Sequence, residues 1–387
     1  MKSPALTLVN YLRGGARLAE AHFRRLESPL KINLCVTYWC QYRCKTCNIW
    51  QRKPTDELTT DELLTFIHRN REGAWLDVTG GEPFLREDLG ELLEAALREW
   101  RNLLILHFPT NGFLTDRIVS TAKRLASRTS RSSARIIVTV SLDGDESLND
   151  HIRGIKGGFR RQIETFKALR RIPGIQAVLG MTLSQHNVGK FTETFEACRK
   201  ECPDLTASSF HLNVAQVSGH YYGNAGLSDL LPSVAAVKAE LDAYQARRGR
   251  AHSPTAWVEH AFLRHLRRYL DTQQTPMRCH ALRSSCFIDP WGTVYPCITW
   301  DRRIGSLRDT GMDLRPIWRS DTAREVQQAI WEGDCPQCWT ACEAYQSILG
   351  NLLRPGERRG TGHGGPINLT PTIGPAPARL EPRPPKP

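Results

Sequence analysis

The sequence predicts an α/β fold: a partial (βα)6 TIM-like barrel followed by a small C-terminal cysteine-rich domain. Three observations carry this expectation. Six short apolar runs, beginning near Ile32, Trp75, Leu103, Ile136, Ile175 and Ser208, alternate with helix-length amphipathic stretches. Such repeats imply parallel strands joined by right-handed crossovers, and six are too few to close the usual eight-stranded barrel. The twelve cysteines fall mainly into two groups, one directly after the first apolar run and one after residue 276.

Taken in order, residues 1–31 read as one or two short helices. Leu18, Phe23 and Leu26 stand among arginines, and Gly14-Gly15 interrupts the pattern. Packing across a domain is preferred here to a basic amphipathic anchor on a membrane surface. Residues 32–214 form the barrel, with helices expected over Thr60–Arg69, Leu89–Glu99, Arg117–Ala126, Phe159–Arg170 and Phe191–Lys200. Thr59, Thr60 and Asp88 are the N-cap candidates. Residues 215–275 read as a helical connector (Leu230–Arg248, Trp257–Leu270). Within it, Gly219 to Gly226, with Tyr221 and Tyr222, forms a loop on the barrel rim that reaches toward substrate. Residues 276–350 hold the second cysteine group. The Pro/Gly-rich tail, 351–387, is expected to be disordered.

Composition narrows the classes. The chain has 387 residues, is 40% hydrophobic and 24% charged, and carries a net charge of +12. Residues 1–31 and 354–387 each contribute +4 of that charge, so the body is only mildly basic and binding of nucleic acid is not expected. No apolar run has transmembrane length, and no secretory signal is evident. Twelve cysteines without such a signal point to a reducing, cytoplasmic setting and to metal binding instead of disulfides.

The first group is Cys40, Cys44 and Cys47, spaced C-x3-C-x2-C. Three thiolates can hold three irons of a cubane and leave the fourth iron open, whereas a cluster that only carries electrons usually has four cysteines. Downstream, Thr79-Gly80-Gly81-Glu82-Pro83 follows the second apolar run, Thr110-Asn111-Gly112 ends the third, and Ser141-Leu142-Asp143-Gly144 ends the fourth, continuing to Asp150-His151-Ile152-Arg153-Gly154. All follow predicted strands, so all converge on the rim where barrels of this kind place their active sites. Cys198 and Cys202, four apart in a predicted helix, read as packing residues, and Cys35 as a strand residue.

These blocks resemble the radical S-adenosylmethionine (SAM) superfamily. The resemblance implies a [4Fe–4S] cluster whose open iron is chelated by SAM. Reductive cleavage of SAM there yields a 5′-deoxyadenosyl radical that abstracts hydrogen from substrate. It further implies that Gly80, Gly81 and Glu82 meet the SAM ammonium, Glu82 through a charge-assisted bond, and that Ser141 and Arg153 meet its carboxylate, with Asn111 close by. Two departures stand out. Asp150-His151 reverses the family's usual order, and Thr46 replaces the aromatic residue expected before the third cysteine. Tyr42, Ile49 and Trp50 are the alternatives for the adenine contact.

In the second group, Cys279, Cys286 and Cys297 are followed by Cys335, Cys338 and Cys342. Cys286 to Cys297 reads as a hairpin around an Asp-Pro-Trp-Gly turn. It resembles the hairpin of SPASM and twitch domains, which ligate auxiliary [4Fe–4S] clusters. Six cysteines are too few for two fully ligated clusters, so one is expected, on Cys279, Cys286 and Cys297 with a fourth ligand from Cys335, Cys338 or Cys342. A structural zinc site is the runner-up. The expected function is hydrogen abstraction from a peptide or small metabolite, with electrons from a partner such as flavodoxin or ferredoxin. Modification of a lipid or polyprenoid, and a non-catalytic iron–sulfur or zinc scaffold, are the alternatives.

Overall fold

The computed structural model describes residues 4–129, 132, 134–251 and 253–352. The expected disorder of the tail concerns residues that, from 353 on, lie outside those described.

The chain begins with α1 (Pro4–Phe23) and enters the barrel at β1 (Lys31–Cys35). There follow α2 (Thr60–Arg69), β2 (Trp75–Thr79), α3 (Leu89–Glu99), β3 (Ile105–Thr110), α4 (Thr115–Arg128), β4 (Arg135–Ser141), α5 (Glu146–Arg153), α6 (Gly158–Arg170), β5 (Ile175–Leu183), α7 (Phe191–Glu201) and β6 (Phe210–Val214). Beyond them lie α8 (Val234–Arg248), α9 (Pro254–Thr272), β7 (Ser285–Ile288), β8 (Thr293–Tyr295), β9 (Gly305–Ser306), α10 (Leu314–Trp318), α11 (Asp321–Glu332) and α12 (Ala341–Gly350). One sheet contains all nine strands in the order β6-β5-β4-β3-β2-β1-β7-β8-β9. β1 to β6 are parallel, as the alternating pattern requires. The C-terminal hairpin continues the same sheet: β7 runs parallel to β1, pairing Ile32 with Cys286, and β8 returns antiparallel.

α1 runs unbroken through Gly14-Gly15. A Cβ on Gly14 would come within 2.5 Å of Leu104 Cδ1, so this glycine permits close packing of the helix instead of ending it. Leu18, Ala21, Leu26 and Leu30 form a small core with Ala74, Trp75, Leu104 and Leu349, while Phe23 is exposed. Thr59 caps α2 in a reciprocal box with Glu62. Asp88 precedes α3 but makes no side-chain cap, because its carboxylate is taken up by Arg86 and by the Thr60 hydroxyl. No described helix is long and apolar enough to cross a membrane.

Strand alternation sorts the barrel into two environments. Ile32, Leu34, Leu76, Val78, Leu106, Phe108, Ile136 and Val138 join the main hydrophobic core. Lys31, Asn33, Asp77, His107, Thr139, Gln176, His211 and Asn213 face inward, where they line a cavity of about 670 Å³. A closed barrel fills its centre with branched apolar side chains. Here the interior is hollow, and polar side chains stand among apolar ones such as Ile105, Ile137 and Val178 along its wall.

Candidate active site: a cysteine loop above a polar barrel

The cysteine loop leaves β1 and folds over the cavity. Cys40, Cys44 and Cys47 are each half-buried and line it, together with Gly80, Gly81, Asn111, Ser141 and Arg153. The loop is pinned by backbone bonds from Gly81 N to Thr37 O (2.8 Å), Glu82 N to Trp39 O (2.8 Å), Lys45 N to Ile152 O (2.8 Å) and Asn48 N to Tyr222 O (2.8 Å). The two glycines are required by this approach. A Cβ on Gly80 would lie 2.5 Å from Thr37 O, and one on Gly81 2.4 Å from Trp39 O.

Burial pushes the Cys40 and Cys47 thiols up to about 12, and that of Cys44 upward too. Opposing this, the backbone of Tyr42 hydrogen-bonds the Cys40 sulfur and that of Ile49 the Cys47 sulfur. Hydrogen bonds of this kind favour the thiolate and tune iron–sulfur sites. Among the buried polar atoms on cavity-lining residues that have no partner among the described residues, three lie on or beside the cysteine loop: Tyr42 Oη, Trp50 Nε1 and Arg153 Nε. Arg153 is ion-paired with Asp143 at 2.8 Å, which holds its guanidinium beside the loop. Open donors next to three thiols fit a polar cofactor such as SAM. Tyr42, Ile49 and Trp50, the candidates to replace the missing aromatic at Thr46, all line the cavity.

Glu82 is fully buried and is not among the cavity-lining residues. Its carboxylate accepts from Phe84 N (3.1 Å), Thr110 Oγ1 (2.9 Å) and Asn111 N (2.6 Å). Burial pushes its carboxyl up to about 7 in spite of these donors. Both of its oxygens are thus tied to the backbone and side chains at Phe84, Thr110 and Asn111. The reversed Asp150-His151 pair has a local explanation. Asp150 accepts from Gly157 N and Phe159 N at the start of α6, and His151 meets Lys45 at 2.7 Å.

The second group is gathered around Thr299. Its hydroxyl lies 3.2 Å from Cys297 Sγ and 3.6 Å from Cys338 Sγ. Cys297 also accepts from the backbone of Thr299 and Trp300, Cys279 from Ala281 N at 3.5 Å, and Cys335 from Gln337. Cys279 and Cys338 each feel the charge of Cys297, and Cys338 that of Cys335. Cys286 is not brought to this group. It is fully buried in β7, and its electrostatic neighbours are Glu343 and Arg25. In the hairpin register Cys286 pairs with Ile32, and like Cys297 it belongs to the main apolar core. Cys342, on α12, lines the barrel cavity and also feels the charge of Cys297. Among the described residues no three His, Cys, Asp or Glu side chains are drawn tightly enough together to hold one metal ion. A cubane spaces its thiolates more widely than a single ion does.

The sequence reading missed the barrel interior. Lys31, 1% exposed, pairs with Asp77 (2.9 Å) and donates to Cys342 O (2.6 Å). Asp77 also bonds His107 (3.1 Å), whose other nitrogen meets Thr139 Oγ1 (2.9 Å). Burial works to raise the Asp77 carboxyl, but Lys31 and His107 together hold it well below the usual range. The available signal was the polar residue at every second place in apolar strands, Lys31-x-Asn33 and His211-x-Asn213.

Comparison with known proteins agrees with this geometry. Residues 34–198 match the family model of the radical SAM superfamily, and residues 279–343 match SPASM, an iron–sulfur cluster-binding domain. The mycofactocin maturase MftC of Mycobacterium ulcerans is 26% identical over 347 residues, covering 87% of this chain and 86% of that protein. The sporulation killing factor maturation protein SkfB of Bacillus subtilis is 26% identical over 174 residues, covering 44% and 40%. Among solved structures, native anSMEcpe with bound AdoMet superposes with a TM-score of 0.55 at 16% identity, covering 78% of this chain and 84% of that one. SuiB of Streptococcus suis bound to S-adenosylmethionine gives 0.56 at 16% identity, covering 78% and 68%. At such identity these two speak for the fold alone. A three-cysteine loop over a parallel half-barrel, its glycine turn pressed against that loop and a second cysteine group on the continuing sheet thus have one explanation: residues 34–198 form a radical SAM domain and residues 279–343 a SPASM iron–sulfur cluster-binding domain.

Proposed function

We propose that this enzyme matures a peptide, modifying a side chain that enters the barrel. The observation that carries the proposal is the cavity. It reaches from the cysteine loop, past the polar strand faces, to Ser253 and Thr255, which are exposed. A passage of this size, with hydrogen-bonding groups set among apolar walls, suits a peptide segment, which needs partners for its backbone and room for its side chains. Two relatives are named maturases, and SuiB has been solved with its precursor peptide SuiA. The lipid alternative drew on the basic N-terminal segment, whose Leu18, Ala21 and Leu26 pack inward while Val9, Tyr11, Leu12 and Phe23 stay exposed.

In this reading Cys40, Cys44 and Cys47 hold the [4Fe–4S] cluster. The backbone at Gly80 and Gly81, with Asn111, Ser141 and Arg153, holds SAM, and Glu82 keeps the Asn111 turn in place. Cys279, Cys297, Cys335 and Cys338 hold the auxiliary cluster. When bound, these cofactors supply a 5′-deoxyadenosyl radical for hydrogen abstraction and a nearby electron acceptor. The chain's part is to orient the substrate and keep water from the radical. A flavodoxin or ferredoxin is the proposed reductant. The test is anaerobic co-expression with the short reading frames adjacent to the gene, followed by mass spectrometry of the peptides. A mass change that requires Cys40, Cys44 and Cys47 is expected. Modification of a small metabolite by an enzyme that leaves all such peptides untouched would reject the peptide reading.

A further inference from the structure

The barrel floor holds a histidine–carboxylate pair that the cofactor site does not use. His211 lies at the start of β6. Its Nδ1 is 3.0 Å from Glu259 Oε1 on α9 and 3.1 Å from the Tyr345 hydroxyl on α12. That hydroxyl donates to Glu259 Oε2 at 2.6 Å. Glu259 is only 8% exposed. Burial works to raise its carboxyl, but His211 and Tyr345 hold it below the usual value, so it is ionised. A carboxylate on Nδ1 fixes the Nδ1–H tautomer and turns the Nε2 lone pair outward. His211 Nε2 is shielded from solvent and has no partner among the described residues, yet the residue lines the cavity. Most buried polar groups have a partner, so an open nitrogen on a residue that lines a cavity marks an available acceptor. Two further acceptors on lining residues, Asn213 Oδ1 and Asn33 Oδ1, are likewise unpartnered. The remaining charged group at this floor is Arg248 of α8, which acts on both Glu259 and Tyr345.

Resting on the peptide reading above, we propose that His211 is the proton acceptor for a hydroxyl or thiol of the substrate bound in the barrel, with Glu259 and Tyr345 as its positioning residues. The substrate's O–H or S–H bond breaks, the proton forms an Nε2–H bond, and the electron pair stays on the substrate atom. Glu259 offsets the charge of the resulting imidazolium. A base so oriented contributes roughly 10²–10⁴-fold to its step.

Diethyl pyrocarbonate, which acylates unprotonated imidazole nitrogen, tests the assignment on the anaerobic holoenzyme without any substrate. Peptide mapping should find His211 acylated at least tenfold faster than His280. Both ring nitrogens of His280 are also unpartnered, but it is fully buried, packed against Gly350 and away from the cavity. In Glu259→Gln the rate at His211 should fall severalfold, because the ring loses the carboxylate that orients it. With a peptide returned by the co-expression screen, His211→Gln should lower product per 5′-deoxyadenosine formed by about a hundredfold. An unreactive His211, or product at the native ratio in His211→Gln, overturns the assignment. A screen that returns no peptide counts against the peptide reading, and the reagent test then decides His211 by itself.

Discussion

The two cysteine groups are built in opposite ways. Cys40, Cys44 and Cys47 lie within eight residues on one loop, held by backbone bonds to the neighbouring strand ends. Cys279, Cys297, Cys335 and Cys338 span sixty residues, and Thr299 bridges Cys297 of the hairpin to Cys338 beyond α11. Both groups share one local device, a backbone hydrogen bond from two residues downstream to the sulfur. Tyr42, Ile49, Ala281, Thr299 and Gln337 provide it for Cys40, Cys47, Cys279, Cys297 and Cys335. Cys44, Cys286, Cys338 and Cys342 show no such bond, so the device recurs in both groups without separating ligand candidates from the other cysteines.

The largest effect should follow from removing the compact group. Replacing Cys40, Cys44 and Cys47 with Ala should remove about four irons, the content of one cubane, and abolish reductive formation of 5′-deoxyadenosine. Surviving 5′-deoxyadenosine would mean that the loop is not the SAM-cleaving site. The dispersed group should behave independently. Cys338→Ala should perturb the second cluster in the iron–sulfur absorption and electron paramagnetic resonance spectra. SAM cleavage without substrate should persist, because it depends on the other loop. Zinc in the native protein, with iron for a single cluster, would sink the auxiliary-cluster assignment.

The same contrast explains what was legible in the sequence. The compact loop, Gly80-Gly81 and Ser141 could be read because each motif is contiguous and follows a strand, so local order already implies a shared rim. Six βα repeats could be read because each strand and helix carries its own period. The role of Cys286 could not. Its spacing to Cys297 suits a ligand, but β7 pairs with β1 there, and its electrostatic neighbours are Glu343 and Arg25. The surroundings of Glu82 were not legible either: a motif names the residue, not that Phe84, Thr110 and Asn111 donate to its carboxylate. The interior chain Lys31–Asp77–His107 joins three strands at residues 31, 77 and 107, a contact set by tertiary geometry alone.

That interior is where the barrel body differs most from a packed core, and Lys31→Met measures the difference. Removing one partner of a buried pair costs about 3–5 kcal/mol, because the other charge is left uncompensated. Asp77 retains His107, which places the expected loss toward the lower end. The acid dependence should change as well. A carboxyl held below its usual value in the folded state contributes stability above roughly pH 4 that is lost as the pH falls. Without Lys31 that loss should begin at higher pH. Denaturant titrations between pH 3 and 7 would show it, and an unchanged acid limb would mean that Lys31 does not set the Asp77 charge.

The smallest effect is the sharpest test of how the second group is assembled. Cys286 is fully buried between Ser285 and Phe287 in β7, among apolar neighbours, with a thiol that burial pushes well up. Such a thiol behaves as a small apolar group. Cys286→Ala removes one sulfur's volume from the core, a loss of about 1 kcal/mol by comparison with single-methyl deletions. Iron content, both cluster spectra and SAM cleavage should stay at native values, in direct contrast to Cys338→Ala. If Cys286→Ala instead removes the second cluster, the hairpin must move when iron binds, carrying Cys286 away from its pairing with Ile32. Measuring iron per chain for Cys286→Ala and Cys338→Ala side by side separates these cases, because a register-bound cysteine and a Thr299-bridged cysteine cannot both be dispensable to the same cluster.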